Sequence, residues 1–113
     1  MNLKTLFFGL VIVFLNVNCN SDSESDLKAP TPILVNYKEN IKPIMSVKCN
    51  YCHNGQGLTS YLTYEETKNS IIQILNRIQK NEGEAGFMPS GRPKLSQSDI
   101  NTFLKWQTDG LLE

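Results

Sequence analysis

Residues that can bind a metal or react with a cofactor are concentrated at Cys49, Cys52 and His53, which have the spacing C-x-x-C-H. This pattern attaches haem covalently, because the two thiols add to the porphyrin vinyl groups and the following histidine ligates the iron. A short helical turn would present both sulfurs to one edge of the porphyrin and carry the imidazole under the iron. His53 is the only histidine in the chain. We therefore predict one haem c, held by Cys49, Cys52 and His53.

Two other chemistries use the same pair of cysteines. A structural zinc site needs four ligands, and the only other cysteine is the distant Cys19, so this cluster falls one ligand short. A thioredoxin-like redox site belongs to a βαβ pattern, whereas the flanking sequence has helical periodicity. Both alternatives stay open, and haem attachment is the favoured interpretation.

The first residues of the chain have the pattern of an export signal. Lys4 precedes the apolar run Leu6–Leu15, which matches the basic and hydrophobic parts of a secretory signal and is short for a membrane-spanning helix. Cys19 and the polar, acidic stretch Asn20–Asp26 follow. This arrangement resembles a bacterial lipoprotein signal, in which cleavage frees the cysteine to carry a lipid. It departs from the usual pattern at Asn18, where a small residue is expected.

Residues 1–18 are thus predicted to be a lipoprotein-type signal peptide, with Cys19 as the lipidated residue. The alternative is cleavage elsewhere, which would leave Cys19 as a free thiol, but an odd cysteine in an exported chain favours lipidation. The acidic stretch after Cys19 is similar to the signal that places some lipoproteins on the outer surface of the outer membrane. We expect an exported protein of the periplasm or cell envelope, anchored to the outer membrane.

The rest of the chain divides into a tether and one domain. Residues 19–36 are rich in Ser, Asp, Asn and Pro, and we predict that they form a flexible tether. Residues 37–113 are enough for one domain but offer a small hydrophobic core, so we expect this segment to fold poorly without a buried haem. The whole chain holds eleven basic and eleven acidic residues, and no basic stripe indicates a nucleic-acid partner.

Three helices are predicted between residues 37 and 113. The last begins at the capping signal of Ser96 and ends near Gly110, and the middle one begins at the capping box of Thr63 and Glu66 and continues to about Asn81. The first runs from residue 36 or 37 to the cysteine motif. No segment shows the alternation of a strand, so the predicted fold class is all-α.

The first helix contains Pro43, which either kinks the helix or lies in the first turn of a helix that starts around residue 40. The side chains predicted to face the core from the three helices are Ile41, Ile44 and Met45, then Tyr64, Ile71, Leu75 and Ile78, and finally Ile100, Phe103, Leu104, Trp106 and Leu111.

The segment Ile41–Ile44 leads into the cysteine motif, Phe87-Met88-Pro89 lies in a loop before the last helix, and that helix carries Trp106. From about Tyr37 to its end the chain therefore resembles a small monohaem class I cytochrome c. The resemblance implies that about three helices wrap around the haem and that the first and last helices pack together. It also implies that a methionine in the loop before the last helix binds iron opposite the histidine. The matching residue is Met88.

The chemistry of methionine supports this assignment independently. A thioether is a good ligand for ferrous iron, and a His/Met pair raises the reduction potential. Met1 would be lost with the signal, and Met45 lies on the first helix, where it cannot easily reach the distal face. Met88 lies among turn residues in Gly86–Gly91. The alternative is a loop methionine that fills the core.

The sequence also bears on the partner of His53 and on the side chains around the predicted haem. Many family members have a proline shortly after the histidine whose carbonyl accepts the imidazole Nδ1–H, but no proline lies between His53 and Met88. Another carbonyl must therefore orient His53. Side chains that could reach the haem are Arg92 and Lys94, at the propionates, and Tyr51, Tyr61 and Phe87, on the porphyrin. For the two cations the alternative is solvated surface charge, and for the three aromatic residues it is a place in the core.

With both axial positions filled by protein, iron has no open position for a substrate. We therefore expect an electron-transfer protein rather than an enzyme. Such a protein would exchange single electrons with membrane or periplasmic redox proteins in transient contacts. The main alternative is a haem-based sensor or small-ligand binder with a vacant or labile sixth position. Peroxidase-like catalysis would lack a second histidine as its acid–base group, and a structural lipoprotein with a redox-silent haem is the remaining alternative.

Overall fold

A computed structural model describes residues 30–113, so the predicted signal peptide, Cys19 and most of the tether lie outside the described residues. The described chain contains a π-helical turn, Tyr37–Ile41, and four α-helices: α1 (Lys42–Lys48), α2 (Tyr64–Asn69), α3 (Ile71–Ile78) and α4 (Gln97–Thr108). Residues 30–113 contain no β-strand beyond an isolated parallel bridge between Asn36 and Leu112. The prediction of an all-α chain is therefore confirmed for this part of the protein.

The first helical segment begins at Tyr37 and accommodates Pro43 without a break. The Asn36 side chain accepts a hydrogen bond from the Glu39 N–H at 2.8 Å, and the Lys42 N–H donates to the Tyr37 carbonyl, which closes a π-helical turn. Pro43 then occupies the first turn of α1, where its missing N–H costs no hydrogen bond.

The side chains of this first segment face the core largely as predicted. Ile41 and Met45 have no exposed surface, and Ile44 is half-buried against the same cluster.

The predicted middle helix is two helices, and the prediction of one continuous helix is wrong. Its capping box is present, since the Thr63 Oγ1 accepts from the Glu66 N–H at 3.3 Å and the Glu66 Oε2 accepts from the Thr63 N–H at 2.9 Å. The helix stops at Ser70, whose N–H turns back to the carbonyls of Thr67 and Lys68. The side chain of Thr67 is fully buried, and its Oγ1–H donates to the Thr63 carbonyl at 2.9 Å.

Helix α3 starts again at Ile71 and ends at Ile78, earlier than the predicted end near Asn81. It buries one face, formed by Ile71, Ile74, Leu75 and Ile78.

Helix α4 has the start and the end that the sequence predicts. The Ser96 Oγ accepts a hydrogen bond from the Asp99 N–H at 3.1 Å, and Gly110 follows the helix with a φ of +95°, a conformation that favours glycine. Of the predicted core residues on and after α4, Ile100, Phe103 and Trp106 are buried, and Leu104 and Leu111 are partly buried against them.

The π-helical turn packs against α4, so the predicted contact between the first and last helical segments is present. At this contact the ring of Trp106 lies 6.0 Å from that of Tyr37 and 6.3 Å from that of Tyr64, measured between centroids. The Trp106 Nε1–H donates to the Leu112 carbonyl at 2.7 Å. Helix α3 packs against another part of α4. Among residues 30–113 no helix has both the length and the apolar character needed to cross a bilayer.

Candidate cofactor site

The four predicted haem-binding residues, Cys49, Cys52, His53 and Met88, line one cleft. The cleft is partly open to solvent. Its apolar walls include Leu58, Ile74, Ile78 and Leu95. Residues that are far apart in the sequence, before α2 and after α3, therefore converge on one apolar space.

The cysteine motif continues from α1 as a helical turn, as its spacing predicts. The Cys49 N–H donates to the Met45 carbonyl at 2.9 Å, and the N–H groups of Cys52 and His53 donate to the Cys49 carbonyl at 3.1 and 2.9 Å. Cys49 is largely buried and Cys52 is exposed, and neither forms a disulfide. Burial raises the pKa of the Cys49 thiol to about 11, so this group is neutral at physiological pH.

A backbone carbonyl fixes the orientation of His53. The His53 Nδ1 lies 2.8 Å from the Thr59 carbonyl oxygen. A carbonyl can only accept, so Nδ1 carries the hydrogen and Nε2 keeps a lone pair. The ring of Tyr61 stacks on the imidazole at 4.5 Å with an interplanar angle of 26°, and the Tyr61 N–H donates to the His53 carbonyl at 3.1 Å. The carbonyl that the sequence did not identify is therefore that of Thr59.

Met88 reaches the cleft from the loop between α3 and α4. Its N–H donates to the carbonyl of Arg77 on α3 at 3.3 Å, and the preceding Phe87 N–H donates to the Glu84 carbonyl at 3.0 Å. Met45, in contrast, is fully buried in the helical core and does not line the cleft. Of the two methionines in residues 30–113, Met88 is thus the one that shares the cleft with His53.

Two of the side chains that could reach a haem do not line the cleft. The Lys94 Nζ turns toward the end of α3 and donates to the Gln79 carbonyl at 3.4 Å and to the Asn81 Oδ1 at 3.5 Å, which agrees with the alternative of a surface charge. Phe87 does not line the cleft either, whereas Tyr51 and Tyr61 do.

The cations at the cleft differ in part from those predicted. Arg92 lines the cleft, with its guanidinium 4.5 Å from the ring centroid of the exposed Tyr51. Arg77 and Lys48 also line it, and the sequence analysis missed both. For Arg77 a signal was present, since it lies between Ile74 and Ile78, which line the cleft from the same helix.

Comparison of the chain with protein-family models, with curated proteins and with solved structures gives no match. The site is therefore interpreted from its own chemistry. Within residues 30–113, no three His, Cys, Asp or Glu side chains form a group that could hold a metal ion. The cleft offers two thiols, an imidazole nitrogen with a free lone pair, a thioether and apolar walls, and this set of groups fits a covalently attached haem.

Proposed function

We propose that this protein is a single-haem c-type cytochrome that carries one electron at a time between redox partners. The observation that carries the proposal is the arrangement of His53, whose Nδ1 is bonded to Thr59 so that Nε2 is free, in the same cleft as Cys49, Cys52 and Met88. In this proposal the helices wrap around the haem as in the class I cytochromes c.

Each of these side chains has a defined part. Cys49 and Cys52 would hold a haem through thioether bonds, and His53 and Met88 would bind its iron. Bound in this way, haem supplies a one-electron ferric–ferrous couple, whose potential a His/Met pair raises. The apolar walls exclude water, and the Thr59 carbonyl keeps the imidazole in one tautomer and orientation.

The surroundings of the cleft suit electron transfer. Cys52 is exposed, and Tyr51, beside it, has 74% of its surface exposed, so a cofactor bound to this turn lies close to the protein surface. Two protein ligands would leave no position for a substrate, which supports a carrier rather than an enzyme. The partners we propose are membrane or periplasmic redox proteins. The protein would contact them after its export, while a lipid on Cys19 anchors it to the membrane.

Absorption spectra of the protein matured in an exporting host test this proposal. Wild type and Met88→Ala are compared in the ferric and ferrous forms. We expect a low-spin wild type whose weak sulfur-to-iron charge-transfer band is lost in the variant. A high-spin wild type, or one that binds carbon monoxide without denaturant when reduced, would favour the sensor or ligand binder. Absence of covalent haem would contradict both functions.

A further inference from the structure

The loop that carries Met88 is bound to α3 and to the segment just after it by two cationic side chains, Arg77 and Lys80. The Arg77 Nη1–H donates to the Gly86 carbonyl at 3.5 Å, and the Lys80 Nζ donates to the Ala85 carbonyl at 2.6 Å. The Arg77 carbonyl also accepts the Met88 N–H at 3.3 Å. Three hydrogen bonds thus attach residues 85–88 to positions 77 and 80.

Gly86 shows how closely the two cations approach this loop. Its φ is +81°, and a Cβ at this position would lie 3.3 Å from the Arg77 Nη1 and 3.5 Å from the Lys80 Nζ. The backbone of residue 86 therefore lies directly against both charged groups. Glycine suits the position for two reasons, its backbone conformation and the space that the cations occupy.

The remaining contacts close the loop on itself. The Asn81 Nδ2 donates to the Glu84 Oε1 at 2.7 Å, and the Phe87 N–H donates to the Glu84 carbonyl at 3.0 Å. These bonds fold residues 81–87 into a turn but do not fix that turn relative to the cleft. The side chains of Arg77 and Lys80 provide that link. Arg77 bonds Gly86, two residues before Met88, and Lys80 bonds Ala85, three residues before it.

We propose that Arg77 and Lys80 are positioning residues that keep Met88 in the sixth coordination position of the iron. The proposal rests on the function proposed above and extends it. Loss of both side-chain bonds leaves, of the three hydrogen bonds that attach the loop, the Met88 N–H bond to the Arg77 carbonyl, so the loop moves more freely and an external ligand competes more easily with the thioether. Arg77 and Lys80 thus determine whether the site behaves as a closed electron carrier or admits small ligands.

The test is an imidazole titration of the ferric holoprotein, followed through the charge-transfer band of the Met–iron bond. The variants are Arg77→Gln, Lys80→Gln and the double variant, and Lys42→Gln removes one positive charge from the exposed surface of α1 as a control. We expect imidazole to bind about tenfold more tightly to the double variant, the effect of losing about 1.4 kcal/mol of hydrogen bonding. Each single variant should show a smaller increase in imidazole affinity, and Lys42→Gln should show none. Lys80→Arg keeps a donor to the Ala85 carbonyl, so its imidazole affinity should stay near that of wild type.

The outcomes separate this proposal from the proposed function. If the wild type has a Met88-dependent band and all variants bind imidazole as wild type does, the positioning role is wrong and the carrier stands. If the wild type lacks that band, both proposals fail. The side chain of Arg77 is exposed and that of Lys80 only half-buried, and far-UV circular dichroism checks that the helices are intact in every variant. Either single variant also tests the proposal by itself.

Discussion

The Nδ1 of His53 lies 2.8 Å from the carbonyl oxygen of Thr59, six residues further along the chain. The hydrogen bond is local, yet it depends on the path of the intervening loop, in which Gly55 and Gly57 have φ values of +84° and +86°. A histidine ligand that donates its second N–H to a carbonyl is oriented and becomes a stronger electron donor to the metal. In the proposed cytochrome, the loop of residues 54–60 would therefore affect the redox couple through one backbone atom.

Gly57→Val is expected to raise the reduction potential. No atom lies within 4 Å of a Cβ placed at this position, so the effect comes from the left-handed backbone alone, which costs a β-branched residue roughly 1–2 kcal/mol. The loop relieves this strain by moving the Thr59 carbonyl, and a less electron-rich imidazole stabilises ferrous iron. Protein-film voltammetry should show an increase of about 20–60 mV, the one-electron equivalent of a hydrogen bond of about 0.5–1.5 kcal/mol.

Gly57→Asn is the matched control, because asparagine adopts positive φ more easily than valine does. We expect its potential to stay near that of wild type. Equal shifts in both variants, or no shift with valine, would contradict a role for the Thr59 bond in setting the potential.

The starts of α2 and α4 were predictable because their signals are local. Thr63, Glu66 and Ser96 act on backbone groups three residues away, and the structure contains each of these bonds. The break at Ser70 was not predictable from spacing, because it is made by backbone hydrogen bonds, from the Ser70 N–H to the carbonyls of Thr67 and Lys68, which no residue type specifies. The π-helical turn before Pro43 likewise depends on a wider backbone hydrogen bond that no side chain specifies.

The candidate site divides in the same way. The motif from Cys49 to His53 is contained in one helical turn, so its sequence predicts its geometry. The partner of His53 is a backbone carbonyl, and every residue of the loop has one, so residue type could not identify Thr59. The position of Lys94 was set only in the folded chain, in which its Nζ turns toward Asn81, whereas Arg77 shares the helical spacing of Ile74 and Ile78, which line the cleft with it.

Trp106→Ala is expected to destabilise the protein strongly. The side chain of Trp106 has no exposed surface and packs against the rings of Tyr37 and Tyr64, and removing such a side chain costs about 3–5 kcal/mol. Trp106→Phe should cost less, about 1–2 kcal/mol. The Leu112 carbonyl loses its hydrogen bond from the indole N–H, but it still accepts one from the Tyr37 N–H at 2.8 Å. Denaturant unfolding of the holoprotein measures both changes.

Ile72→Ala is the control for this comparison, since 68% of the Ile72 surface is exposed. We expect it to change the free energy of unfolding by less than about 0.5 kcal/mol. A similar loss for Ile72→Ala and Trp106→Ala would show that Trp106 does not hold the core together.

Asp109 should make the protein less stable in acid. Its Oδ2 accepts the Val35 N–H at 2.7 Å, and this bond, with a smaller contribution from Lys105, lowers the pKa of the Asp109 carboxyl below its ordinary value of 3.8. A lowered pKa in the folded state gives stability that is complete above the ordinary pKa and is lost as the pH falls through the folded-state value. Asp109→Asn should therefore unfold a few degrees lower at neutral pH.

The difference between Asp109→Asn and wild type should shrink once the pH is below the folded-state pKa. Thermal unfolding of the holoprotein across this range measures it, and Glu65→Gln, on the exposed surface of α2, controls for the loss of one negative charge. A difference that is independent of pH would contradict the ionised Asp109–Val35 bond as its source.

Cys19→Ser tests the proposed lipid anchor. If Cys19 carries a lipid, the wild type fractionates with membranes and gains the mass of the lipid, while the variant is recovered in the aqueous fraction with its haem spectrum unchanged. Cys52→Ser, which alters a different cysteine, should leave the membrane association intact. Recovery of Cys19→Ser with the membranes would contradict lipidation at this residue.

Cys49 and Cys52 are each expected to retain haem when the other is removed, because each would form its own thioether bond. Cys49→Ser and Cys52→Ser should therefore both keep haem on a denaturing gel, and the double variant should keep none. Loss of all haem in either single variant would contradict one bond per cysteine, and haem that leaves the wild type on the gel would contradict covalent attachment itself.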